Sequence, residues 1–287
     1  MGGPMPSPVR SQPANVLLRG KDAYLIDVGD GAVEQLTKAG IRLEAVKAVF
    51  LSHLHFDHTG GLGGFLGLRY QTSIPGAVTI YGPSGTRQLV DGLTASMLPA
   101  AEAGYGVPDQ KWVRPQDMVK VVELTREQKV EVGGMAVSTA QNTHYDFEPG
   151  STEDGRFKSL SFRFDLPDRS IAFTGDTGPS PAVEALATGA DMLVSEMIDI
   201  EATLANVHRN SPNMPEPVKT AMVYHLKKHH LSPEQVGILA ARAGVKKVVV
   251  THFAGGTSDS TRYAGYIPAI KTKFSGQVVL ANDLDRF

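Results

Sequence analysis

Ala48-Val49-Phe50-Leu51-Ser52-His53-Leu54-His55-Phe56-Asp57-His58 opens as four apolar residues and turns at once into a run of metal-ligand side chains. The apolar part reads as the end of a strand over Val46 to Leu51. The polar part, His53 to His58, holds three imidazoles and a carboxylate in six residues. Packing does not explain it, because buried imidazole nitrogens require hydrogen-bond partners. Divalent cations do, since imidazole and carboxylate ligands suit zinc, iron and manganese alike. The spacing suits two neighbouring ions better than one.

Further candidate ligands stand behind other predicted strands. His144 follows Val137-Ser138-Thr139-Ala140, Asp176 follows Ile171-Ala172-Phe173-Thr174-Gly175, and His252 follows Val248-Val249-Val250-Thr251. Layered scaffolds commonly carry functional groups on strand-end loops. In the assignment this suggests, His53, His55 and His144 hold one cation, and Asp57, His58 and His252 the other. Asp176 and a water or hydroxide bridge them. Two cations about 3.5–4 Å apart lower the pKa of bridging water, polarise the scissile bond and stabilise the leaving group. The hydroxide is then the nucleophile, with Asp57 helping to orient it. Two divalent ions per chain are expected, zinc first, with manganese or iron as alternatives. One structural zinc would close its shell with four ligands.

Elsewhere strands and helices alternate. Strands are expected over Lys21–Val28, Ala77–Tyr81, Val119–Leu124, Met135–Ala140, Met192–Ser195 and Lys246–Thr251, with a hairpin over Leu160–Leu166 and Ser170–Thr174. Helices are expected over Ala32–Ala39, Gly85–Met97, Pro181–Ala187 and Pro233–Ala243, the last capped by Ser232 and ended by Gly244. Residues 99–118 show no clean period. Residues 199–229 read as two helical halves separated by Pro212, Pro215 and Pro217. Gly60, Gly61, Gly63 and Gly64 read as loosening the chain after the ligand run, and Leu62 to Tyr70 as a candidate pocket wall. The pattern is α/β, sheets with helices on their outer faces, in a single domain over 1–287 with a helical insertion around 199–230.

A chain of 287 residues buries a core without disulfides, and this one has no cysteine, which excludes thiolate zinc sites. No run is long enough to span a bilayer, so no membrane partner is expected. A net charge of -2 weighs against a polyanionic partner.

With these residues in view, the chain resembles the metallo-β-lactamase superfamily over nearly its whole length, HxHxDH being a specific signature. The resemblance implies an αββα sandwich, two mixed sheets flanked by helices, and the two metal sites assigned above. It is nearest to the ribonuclease Z, arylsulfatase and phosphodiesterase-like branch. Gly2-Gly3-Pro4, the turn Leu25-Ile26-Asp27-Val28-Gly29-Asp30-Gly31, Phe173-Thr174-Gly175-Asp176-Thr177, Asp191 to Glu196, and His230-Leu231-Ser232 carry that likeness. It implies that His230 sits beside the metals and binds substrate or protonates the leaving group. Glu196 is then a partner for a ligand histidine, and His229 a bystander.

Three departures stand out. The stretch from His144 to Asp176 has no room for the long arm with which ribonuclease Z grips tRNA, so tRNA is expected to be an unlikely partner and a small molecule the substrate. Leu231 and Ser232 replace two small hydroxyl residues. The segment from Ala202 to His230, with His208, Met214, Met222, Tyr224 and His225, is long, and offers a lid or a homodimer surface. Only Met1 precedes Gly2, where such proteins carry a strand. A removed leader would point to the periplasm, and otherwise the cytoplasm is open. The function expected is a dinuclear metal hydrolase of a small phosphodiester, sulfate ester or lactone. The alternatives are a β-lactamase, a hydrolytic aromatic dehalogenase and a non-catalytic metal-binding protein.

Overall fold

The computed structural model describes residues 2–255 and 260–287. The chain forms two compact units, each with its own sheet.

The first unit comprises Ser11–Leu124 with Arg286. Its strands are β1 (Asn15–Arg19), β2 (Asp22–Ile26), β3 (Val46–Phe50), β4 (Val78–Gly82) and β5 (Val119–Glu123), in that spatial order. β1 and β2 form an antiparallel hairpin, and β2 to β5 run parallel. β3 lies between parallel neighbours, which is why Ala48, Val49 and Phe50 read as an unbroken apolar run and are all buried. The helices are α1 (Ala32–Lys38), α2 (Phe56–Thr59), α3 (Leu62–Gln71), α4 (Thr86–Ser96) and α5 (Leu98–Ala103).

α3 corrects the reading of a loosened chain and a pocket wall. Leu62, Phe65 and Leu66 join Leu25, Val49 and Ile80 in the core of this unit. Arg69 is buried and donates to the Leu43 carbonyl at 2.6 Å, so it serves the fold. α5 lies in the stretch without a period.

The second unit comprises the N-terminal residues up to Arg10 and Thr125–Asp285 with Phe287. Its strands are β6 (Lys129–Val132), β7 (Met135–Gln141), β8 (Leu160–Asp165), β9 (Ser170–Phe173), β10 (Met192–Ile198), β11 (Lys247–Ala254) and β12 (Gln277–Leu280), ordered in space as in sequence. β6 to β9 are an antiparallel meander and β9 to β12 are parallel. The helices are α6 (Thr152–Arg156), α7 (Pro181–Ala187), α8 (Ile200–Asn210), α9 (Glu216–Lys228), α10 (Pro233–Ala243) and α11 (Ser260–Lys271). α7 packs on β7 to β9 and α10 on β10, burying Val183, Ala187, Val236 and Ala240 with Leu193 and Val248. Both sheets are mixed and carry helices, the expected α/β class. The expected break between α8 and α9 is present, and neither helix contains a fully buried residue. No described helix is long and apolar enough to cross a membrane.

α10 starts on a capping box, Ser232 accepting from the Gln235 amide while Gln235 accepts from that of Ser232, and ends on Gly244 at φ 64°. Ser232→Ala is expected to cost about 1 kcal/mol, measured as a lowered urea midpoint.

Asp191 accepts from Lys246 at 2.6 Å and from the Ser170 amide at 2.8 Å, which hold its carboxyl down at about 2. The folded value lies below the ordinary one, about 3.9. Its stabilisation is therefore present above pH about 4 and lost as pH falls through about 2. Asp191→Asn is expected to weaken the protein at neutral pH and to flatten that acid limb, read from urea midpoints across the window.

Candidate metal centre

The ligand run leaves β3 at Phe50 and enters α2, where His55 is the N-cap and Asp57 and His58 lie in the single turn. Its anchor is Asp27, just past the end of β2. The Asp27 carboxylate accepts from the Ser52 amide at 2.7 Å, the Ser52 hydroxyl at 2.9 Å and His58 Nδ1 at 2.8 Å. Because His58 Nδ1 carries the proton towards a carboxylate, its Nε2 presents a lone pair, 3.7 Å from an Asp57 oxygen. His53 Nδ1 lies 3.0 Å from the Ser52 hydroxyl, whose own proton goes to Asp27. His53 Nε2 then stands 3.0 Å from His55 Nδ1. Two nitrogens that close share either a proton or a cation, and bonds of about 2.1 Å to one ion fit the second.

Backbone contacts hold this loop down. The Val28 amide donates to the His58 carbonyl and the Gly61 amide to the Val28 carbonyl, at 2.8 and 2.9 Å. A Cβ on Gly29 would lie 2.2 Å from the Asp57 carbonyl, and one on Gly61 2.3 Å from that of Gly29. Both positions therefore need glycine for close approach.

In the second unit, His144 and Asp176 stand on the loops after β7 and β9, as expected. His252 does not stand on a loop: β11 continues past Thr251 to Ala254 because β10 extends beside it to Ile198. Asp176 reaches two imidazoles, one oxygen 3.3 Å from His252 Nε2 and the other 4.0 Å from His144 Nε2. His144 Nδ1 donates to the His229 carbonyl at 3.2 Å, so its Nε2 faces the carboxylate as an acceptor. His229 is thus buried and orients a candidate ligand through its backbone, which corrects the bystander reading.

His230 is buried beside Glu196 of β10, with Nδ1 at 3.0 and 3.1 Å from the two carboxylate oxygens. Burial pushes the Glu196 carboxyl up, and the adjacent His230 pulls the other way. His225, read from the sequence as part of a lid or homodimer surface and not as a ligand, is also here. His225 of α9 has its ring centroid 4.9 Å from that of His144 and 5.4 Å from that of His230. In each unit the donor set, imidazole Nε2 beside carboxylate with Nδ1 held by an oxygen, is chemistry suited to divalent cations.

A family model described as the beta-lactamase superfamily domain matches residues 23–253. Ribonuclease Z of Mycobacterium marinum is 28% identical over 292 residues, 99% of this chain and 95% of that one. Ribonuclease Z of Mycobacterium avium is 29% identical over 292 residues, covering 99% and 94%. Among solved structures, the metallo-beta-lactamase fold protein YhfI from Bacillus subtilis superimposes with a TM-score of 0.70 at 18% identity, covering 98% of this chain and 92% of that one. The short form of human tRNase Z does so with a TM-score of 0.65 at 21% identity, covering 99% and 95%. At such identities the structures attest the fold alone.

The relatives overturn the expectation that tRNA is an unlikely partner, since proteins matched almost end to end are named ribonuclease Z. The physical error lay in treating two absences as exclusions. Net charge averages over the surface and leaves local patches open, and a missing arm removes only one way of gripping RNA.

Asp27→Asn is expected to weaken divalent-metal binding by roughly 10–100-fold through the lost orientation of His58. Titration with zinc against a chelating dye measures it, and unchanged affinity in a folded variant would remove Asp27 from the site.

Proposed function

This chain belongs to the beta-lactamase superfamily, has the metallo-β-lactamase fold and is a metal-dependent hydrolase; from that premise we propose that it hydrolyses phosphodiester bonds in RNA. The observation that carries this is the likeness to ribonuclease Z over 99% of the chain. The proposed ligands are His53, His55 and His144 for one divalent cation, Asp57, His58 and His252 for another, and Asp176 for both, with zinc the native ion. When bound, such cations activate water and polarise a phosphoryl group.

The side chains supply the rest. Asp57 orients the attacking water and accepts its proton. His230, steadied at Nδ1 by Glu196, presents Nε2 to the leaving oxygen and protonates it. Asp27 and the His229 carbonyl act at one remove, fixing the rings of His58 and His144.

The test is turnover of a tRNA transcript, an unstructured RNA, bis-p-nitrophenyl phosphate and nitrocefin by one metal-loaded preparation. RNA and the phosphodiester should be cleaved, cleavage should cease on chelation and return with zinc, and His53→Ala with Asp176→Ala should abolish it. Turnover of nitrocefin with RNA intact would replace this reading by lactam hydrolysis. His230→Ala should lower kcat on RNA by about 10²–10⁴-fold. It should matter less for p-nitrophenolate, which leaves readily without a proton.

A further inference from the structure

The C-terminal turn of α9 is stitched to the loop that carries His144. The Tyr224 hydroxyl donates to Asp146 at 2.9 Å, and Lys228 donates to the same carboxylate oxygen and to that hydroxyl. The His229 amide donates to the His225 carbonyl at 2.8 Å, and the His229 ring meets the Thr143 carbonyl. With the bond from His144 Nδ1 to the His229 carbonyl, these ties fix where His225 stands relative to His144.

The product is a cluster of three imidazoles lying wholly within the second unit. One ring nitrogen each from His144, His225 and His230 lies within 4.8 Å of the others. The three rings meet edge to face, their planes inclined by 66°, 79° and 88°. The Nδ1 atoms of His144 and His230 face oxygens of His229 and Glu196, which directs both Nε2 atoms to other partners. His225 is half-buried, and the other two are buried.

Three neutral imidazoles suit zinc and its transition-metal neighbours, and disfavour magnesium and calcium, which want oxygen. His144 Nε2, however, can bind one ion at a time. We propose that His144, His225 and His230 form an auxiliary site for a transition-metal cation, which fills when the cation is in excess and inhibits by drawing His144 and His230 out of the reaction. The inhibitory consequence rests on the roles proposed above for those two residues; the binding itself does not.

The test has two arms on the full-length protein. In the first, protein carrying His53→Ala and His58→Ala, which lacks two of the proposed catalytic ligands, is titrated with cobalt(II), followed by visible absorbance and competition with a chelating dye. One cobalt should bind, at least roughly tenfold more weakly after His225→Ala, and binding should return with His225→Asp, which restores a ligand. In the second, excess zinc should depress hydrolysis of bis-p-nitrophenyl phosphate by the otherwise unaltered protein. His225→Phe, which fills the space without a nitrogen, should relieve that depression.

Cobalt binding indifferent to residue 225, or zinc inhibition undiminished in His225→Phe, overturns the proposal. Thermal melts of each variant separate misfolding from lost coordination, and the second arm decides should the double variant fail to fold. A protein that cleaves no phosphodiester would sink the hydrolytic reading while leaving the cobalt result intact.

Discussion

The Asp27 carboxylate is the constraint around which the first unit is arranged. One side chain accepts from a backbone amide, a hydroxyl and an imidazole, and so joins the end of β2, the end of β3 and the turn of α2. To reach all three, Asp27 adopts φ 62°, the left-handed region that non-glycine residues seldom occupy. The cost of that backbone is offset by charge-assisted hydrogen bonds in a buried setting. Remove the carboxylate, and a buried imidazole N–H and a buried amide both lose their acceptor, each worth about 1–3 kcal/mol.

The second unit solves the same problem differently. Glu196 is a carboxylate inside a central parallel strand, Met192–Ile198, that is otherwise largely apolar. It is satisfied by the Thr177 amide at 2.9 Å and by His230. An acid there is tolerable only because those partners are built in. The arrangement ties the loop after β9, which bears Asp176, to the segment before α10, which bears His230, through one residue of β10.

Much of this was legible in the sequence where a short local pattern decides the structure. The apolar run into His53, the Ser232 cap and the Gly244 stop on α10 all depend on neighbours a few residues away. The role of Asp27 was not legible, although its motif was noticed, because it depends on a positive φ and on a partner 31 residues distant. α3 was obscured by Gly63, Gly64 and Gly67, whose low helix propensity is overridden by burial of Leu62, Phe65 and Leu66. α11 hid behind Pro268 within it. β1, β6 and β12 are short outer strands whose pairing, rather than their composition, makes them strands. His225 read as one residue of a helical insertion until the bonds at the end of α9 placed it beside His144.

The α8–α9 segment has no fully buried residue and is tied down mainly at its two ends. At the start, Asp199 accepts from the Ala202 amide, Arg262 and Tyr266; at the finish stand the bonds of Asp146, Tyr224 and Lys228. Helices held in this way open by local unfolding at a free energy well below that of the sheets. In evolutionary terms, the two ends of the segment are constrained and its middle is not: the stretch between the ties to Asp199 and to the His144 loop can drift in length and composition while both sheets stay as they are.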